Sequence, residues 1–254
     1  MNEVWCKLEK ELSKWSDQSI YPIFWIRDDD AYKETQKLTR LISFTKEFNI
    51  PISLAVIPFL IEKSLVKILN SIDLISILQH GFKHKNYEPN GQKKSEFGES
   101  RNIEHMLEDI HHGAKLVSEY FETAYQPIFV PPWNRMSHLL LPHIKCIGIT
   151  AVSSFNKNLC GHSTNIEYSK IINTNIDIID WKKNKVFAGE KDLVDQLIFE
   201  LKVRRENNSR IREPIGILTH HNVMNEDSFL FLDKLIRITI KSGSQWHSIK
   251  KIIQ

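Results

Sequence analysis

The chain has 254 residues, 41% hydrophobic and 26% charged, with a formal net charge of +3. That length and balance suit one large globular domain with a full core, and so small and dispersed a charge gives no basis for a nucleic-acid partner. The cysteines Cys6, Cys146 and Cys160 are odd in number and far apart, which excludes a disulfide framework and leaves reduced thiols as the expectation.

The N-terminus, Met1 to Lys10, carries charges throughout and lacks the apolar stretch of an export signal. No window approaches the roughly 18 consecutive apolar residues of a membrane span, so a cytoplasmic location is expected. No repeat, low-complexity tract or flexible linker divides the chain, and residues 1–254 read as a single domain. Short apolar runs predict strands at 23–26, 52–57, 74–78, 127–130, 148–153, 171–179 and 215–218. Between them, helical spacing predicts helices at 34–48, 59–69, 103–121, 137–144, 191–205 and 226–241. Strands alternating with helices point to a parallel sheet, and about seven such units suit a closed, TIM-like α/β barrel. An open doubly wound sheet is the alternative, but no Gly-rich phosphate loop follows the first strand.

The chemically interesting residues fall at the C-terminal ends of these strands. Asp28, Asp29 and Asp30 follow the first, His80 the third and Pro131-Pro132-Trp133-Asn134-Arg135 the fourth. Asp180-Trp181 close the sixth, and His220-His221 close the seventh. In a β/α barrel that rim carries the active site. His80 and His84 stand four residues apart, so a helix there would point both rings the same way. Three successive carboxylates repel one another unless a positive group sits among them. Two imidazoles plus one carboxylate of the run give the ligand count of a catalytic zinc site with an open position. The nitrogen-rich set favours zinc over magnesium or calcium.

Other polar residues carry plainer readings. His111 and His112 belong on a helix surface, His221 reads as a solvated neighbour, and Cys160 with His162 lacks the second pair of a structural zinc site. Residues 85–100 lack apolar periodicity and leave directly from the histidine pair, as a substrate-covering loop or a plain surface loop would.

Together these motifs resemble the polysaccharide deacetylase family, metal-dependent hydrolases that remove acetyl groups from N-acetylated sugars. The likeness runs from about residue 24 to 221, with five short motifs in the family's order. It implies a distorted (β/α)7 barrel, a carbohydrate substrate and one divalent ion. By this resemblance Asp29 is the catalytic base, while Asp30, His80 and His84 are the metal ligands; a one-residue slip to Asp28 and Asp29 stays open. The third motif departs from the family, because Val130 stands where an arginine orients the catalytic Asp. Arg27 or Arg135 is expected to supply that guanidinium at the substrate site. The resemblance assigns the oxyanion to the metal and the backbone N–H of Trp133, and the leaving-amine proton to His220. It pairs Asp180 with His220 and makes Trp181 and Leu218 the walls for the acetyl methyl. An amidohydrolase acting on a small non-sugar amide and a silent carbohydrate-binding protein are the competing readings.

Overall fold

The computed structural model of the protein describes residues 3–69, 72–156 and 170–254; Cys160 and His162 lie outside them. The strands are β1 (Ile23–Ala31), β2 (Ile52–Val56), β3 (Ile75–His80), β4 (Tyr125–Val130), β5 (Ala151–Val152), β6 (Lys170–Ile171), β7 (Ile176–Asp177), β8 (Ile179–Asp180), β9 (Val186–Phe187), β10 (Ile215–Thr219) and β11 (Gln245–Trp246). The helices are α1 (Glu3–Ser16), α2 (Gln36–Phe48), α3 (Lys63–Leu69), α4 (Ile103–Phe121), α5 (Leu141–Ile144), α6 (Glu190–Arg205), α7 (Glu226–Lys241) and α8 (Ile249–Ile252).

The main sheet is parallel, in the order β6-β5-β4-β3-β2-β1-β10-β7, with β11 added beside the start of β1. The stretch expected as one strand at 171–179 is broken into pieces, because it serves two neighbours. Ile172 N–H donates to Val152 O and Thr174 N–H to Ser154 O on one side. Asn175 N–H then donates to Gly216 O and Ile178 N–H to Leu218 O on the other. Residues 170–178 therefore act as one irregular stave that closes a distorted (β/α)7 barrel. Its end, Ile179–Asp180, folds away to pair with β9 as a small antiparallel hairpin.

Alternation along the strands sorts the core. Trp25, Ala55, Leu78, Ile128, Val130 and Ala151 fill the barrel interior together with Ile249 of α8. Phe24, Ile26 and Leu54 face outward onto Leu38 and Leu41 of α2, Leu197 of α6 and Leu232 of α7. Gly216 is what admits Trp25, since a Cβ there would lie 2.6 Å from the indole nitrogen and 2.7 Å from the Thr174 backbone. Helix α1 was hidden in the charged N-terminus; Trp5, Leu8, Leu12 and Trp15 recur at helical spacing and are buried. The expected helices at 59–69 and 137–144 are each a 3-10 turn followed by a short α-helix. Prolines at Pro58 and Pro142 stand at the turns. Among the described residues no helix is long and apolar enough to cross a membrane.

Candidate active site

The aspartate run is separated by the backbone. Alternation sends Asp28 toward the helix layer and Asp29 into the barrel. Asp30 would follow Asp28, but its φ is +69° and the β1–β2 register shifts between Asp28 and Ala31. That bulge turns Asp30 back over the barrel mouth, so two adjacent carboxylates face one site. Left-handed backbone at a residue with a side chain costs about 1–3 kcal/mol.

Each carboxylate then has its own partners. Asp28 is buried and accepts from the Thr219 hydroxyl at 2.7 Å, the His221 N–H at 2.8 Å and the His221 ring. His221, expected in solvent, is 1% exposed. Asp29 is gripped by Arg27, with Nε at 2.9 Å from one oxygen and Nη2 at 3.0 Å from the other. Arg27 is fully buried, and its remaining donors reach Ser153 Oγ, Ser154 O and Asn134 Oδ1. All five guanidinium N–H groups are thus used, which is what a buried ion pair needs to be tolerated. Arg27 therefore stands where the missing motif arginine was sought, but beneath the site, not against a substrate. Arg135 does not reach Asp29; its Nη1 donates to Lys94 O, and its side chain lines the mouth.

No helix carries the histidine pair. His80 ends β3, and the chain then turns through Gly81 (φ +58°) to His84 (φ +54°). Both imidazoles nevertheless converge on Asp30 Oδ1, with His80 Nε2 at 3.1 Å and His84 Nε2 at 3.2 Å. The turn is held by Glu96, whose buried carboxylate accepts the N–H groups of Phe82, Lys83 and His84 at 3.2, 2.7 and 3.1 Å. A Cβ at Gly81 would strike that carboxylate at 2.2 Å. Burial pushes the Glu96 carboxyl up, against the pull of those three N–H groups. The loop at 85–100 supplies this brace, and none of its residues lines the cavity. It returns through Ser95 and Phe97, which bond to Arg135 O and Ser137 N, and clamps the turn from below. Nothing in the spacing of Glu88, Glu96 and Glu99 along this polar run announced the role of Glu96.

The donor set fits a divalent cation. Asp30, His80 and His84 can offer ligand atoms all within 4.8 Å of one another. His80 Nδ1 lies 3.1 Å from Val130 O, so in the neutral ring the proton sits there and Nε2 presents a lone pair to Asp30. Asp30 Oδ1 is buried without a well-formed hydrogen bond. Burial opposes ionisation of Asp30, but His80, His220 and His84 outweigh it and hold the carboxyl well below its usual range. Burial, then the neighbouring His80, lowers His84 to about 4. A carboxylate and two imidazole nitrogens aimed at one point call for a cation between them.

Across from this cluster, His220 Nε2 lies 3.9 Å from Asp29 Oδ2, and its ring meets Trp181 edge-on at 4.6 Å. The expected Asp180–His220 pairing is absent. Asp180 instead accepts from the backbone N–H of Lys182 and Lys183, because β8 has left the main sheet to pair with β9. Of Asp177 and Asp180, Asp177 is the one that lines the cavity with His220; burial pushes its carboxyl upward and His220 pulls it down. Asp177 also accepts from Trp181 Nε1 at 2.8 Å, fixing the indole as a wall. Leu218 is fully buried and does not line the cavity; it sits in register with Arg27 and Asp177, below the floor. Trp133 has left-handed backbone (φ +55°, ψ +17°) and packs its ring 4.4 Å from His84. The enclosed space is about 460 Å³ and is lined by Asp29, Asp30, His80, His84, Trp133 and His220 below, with Phe155, Trp181, Arg135 and two lysines around the mouth.

No protein-family model and no curated protein matches the sequence. Solved structures match in fold. A family 4 acetyl xylan esterase from Clostridium thermocellum with a cobalt ion superposes at TM-score 0.56 and 12% identity, covering 90% of this chain and 89% of its own. A peptidoglycan N-acetylglucosamine deacetylase superposes at 0.57 and 14%, covering 94% and 95%. A CE4 family pseudoenzyme from Bacillus anthracis superposes at 0.57 and 12%, covering 92% and 66%. The fold is that of the polysaccharide deacetylases of carbohydrate esterase family 4.

Three outcomes are expected. Arg27→Met should cost about 3–5 kcal/mol in denaturant unfolding, since it strands the buried Asp29 charge. Glu96→Gln replaces one of the two acceptor oxygens by an NH2 that faces at least one of the three N–H donors, and should weaken divalent-metal affinity about 10–100-fold, read by competition with a chromophoric chelator. Asp180→Asn should leave turnover within a few-fold, because Asn still caps the Lys182–Lys183 turn, whereas Asp177→Asn should lower it by about tenfold or more.

Proposed function

We propose that the chain is a metal-dependent hydrolase that removes an acetyl group from an N-acetylated carbohydrate. The observation that carries this reading is the convergence of Asp30, His80 and His84, with the Arg27-bound Asp29 and His220 facing them across one cavity. A zinc ion held by Asp30, His80 and His84 would supply Lewis acidity for the amide carbonyl and a water acidified toward neutrality. Asp29 takes the proton of the attacking water at its carboxylate. Arg27 holds that carboxylate in one orientation through two hydrogen bonds, so the base needs no reorganisation. His220 Nε2 gives a proton to the departing amine nitrogen, and Asp177 stabilises the imidazolium that donates it. The Trp133 N–H adds a donor for the developing oxyanion, and Trp181 walls the space for the acetyl methyl. The deacetylases named among the structural neighbours support the substrate class, and the cobalt-bound esterase supports a divalent ion.

The test pairs metal content with acetate release. Purified protein should hold one zinc per chain, lost in His80→Ala and His84→Ala, and should release acetate from N-acetylglucosamine oligomers. Asp29→Asn should keep the zinc and lose about two to four orders of magnitude in turnover. Equal metal in the wild type and both histidine variants would sink the assignment.

A further inference from the structure

The mouth of the cavity carries more positive charge than a neutral sugar requires. Arg135 lines it from the β4 side, and Lys182 and Lys185 line it from the loop between β8 and β9. All three are exposed. Their neighbour Lys183 does not line the cavity, and its ammonium lies 3.7 Å from Asp180. Among the described residues no carboxylate pairs with Arg135, Lys182 or Lys185; Arg135 donates only to a backbone carbonyl. The acidic groups of the floor do not answer them. Asp29 is neutralised by Arg27, Asp30 faces two imidazoles, and burial pushes the Asp177 carboxyl upward.

The backbone adds a second observation. Asn184 and Lys185 both have left-handed φ, +59° and +61°. Asn tolerates that region, but a lysine there gives up about 1–2 kcal/mol that glycine would not. Lys185 thus stands in the hairpin turn at a position that a glycine would occupy without strain. Lys185 Nζ also lies 6.0 Å from the Trp181 ring, on the wall of the site.

We infer that the substrate is anionic: an N-acetylated saccharide carrying a phosphate or carboxylate that Arg135, Lys182 and Lys185 receive at the cavity mouth. This rests on the deacetylase reading and narrows its substrate. Cations from two different loops, facing one cavity without carboxylate partners, repel one another until an anion enters, and they raise its local concentration.

Zinc-loaded protein is assayed for acetate release from three probes: N-acetylglucosamine, N-acetylglucosamine 1-phosphate and an N-acetylamino uronic acid. Calorimetric titration with the same compounds runs alongside. At least one anionic probe should exceed the neutral sugar in kcat/KM by about tenfold or more, and which one does separates phosphate from carboxylate. Lys182→Gln/Lys185→Gln should collapse that ratio, through KM and not kcat, while Lys183→Gln should preserve it. Acetate release at equal kcat/KM from all three would overturn the anionic site and leave the deacetylase reading standing. Should no probe release acetate, the deacetylase reading fails, and the titration still decides. Tighter binding of an anionic probe that the double substitution abolishes upholds the site, and equal binding, or binding indifferent to the substitution, overturns it.

Discussion

The site depends on one break in one strand. A regular β1 would send Asp28 and Asp30 to the helix layer and leave Asp29 alone at the barrel mouth. The register shift beside β2 and the left-handed backbone of Asp30 put two neighbouring carboxylates on the same side. Asp30 thereby reaches the imidazoles while Asp29 stays with Arg27, so the candidate ligand and the candidate base occupy consecutive positions without sharing partners. The strain at Asp30 is bracketed by β2, which pairs with Asp28 before it and with Ala31 after it, while the β10 pairing ends at Asp28.

Buried charge is the second constraint, and it explains the rest of the floor. Asp28, Asp29 and Arg27 are each no more than 1% exposed. Unpaired, any one of them would cost several kcal/mol. Each is answered by its neighbours: Asp28 by Thr219 and His221, Asp29 by Arg27, and Arg27 by Asn134, Ser153 and Ser154 as well. These partners come from β1, β10 and the segments after β4 and β5, so the charged floor ties four staves together. A guanidinium two residues before its carboxylate, on the same face of the same strand, supplies what a distant loop would otherwise have to bring.

A fold shared by deacetylases and by a pseudoenzyme says little about activity by itself. Specificity has to be read from the side chains at the mouth. Above the floor, the β8–β9 hairpin sets Trp181 against His220 and presents Lys182 and Lys185 to the cavity, and Asp177 holds the indole in place.

The sequence by itself determined the barrel and most of the constellation. Alternating apolar runs and helical spacings reproduced the order of the long elements after α1, because a strand buried on both faces and an amphipathic helix leave periodic marks. The rim placement brought together Asp29, Asp30, His80, His84, Trp133 and His220, and it named Arg27 as one of two candidates for the absent guanidinium. Tertiary structure decided the rest. Arg27 prevailed over Arg135 because strand alternation aims it inward beside Asp29. Asp177 lines the cavity and Asp180 does not, because β7 ends at Asp177 and β8 turns away to pair with β9. Leu218 fell below the floor, and His221 became the partner of a buried Asp28. Glu96 holds the histidine turn through three backbone N–H groups, a role that leaves no residue pattern, since its partners are main-chain atoms that any sequence would supply.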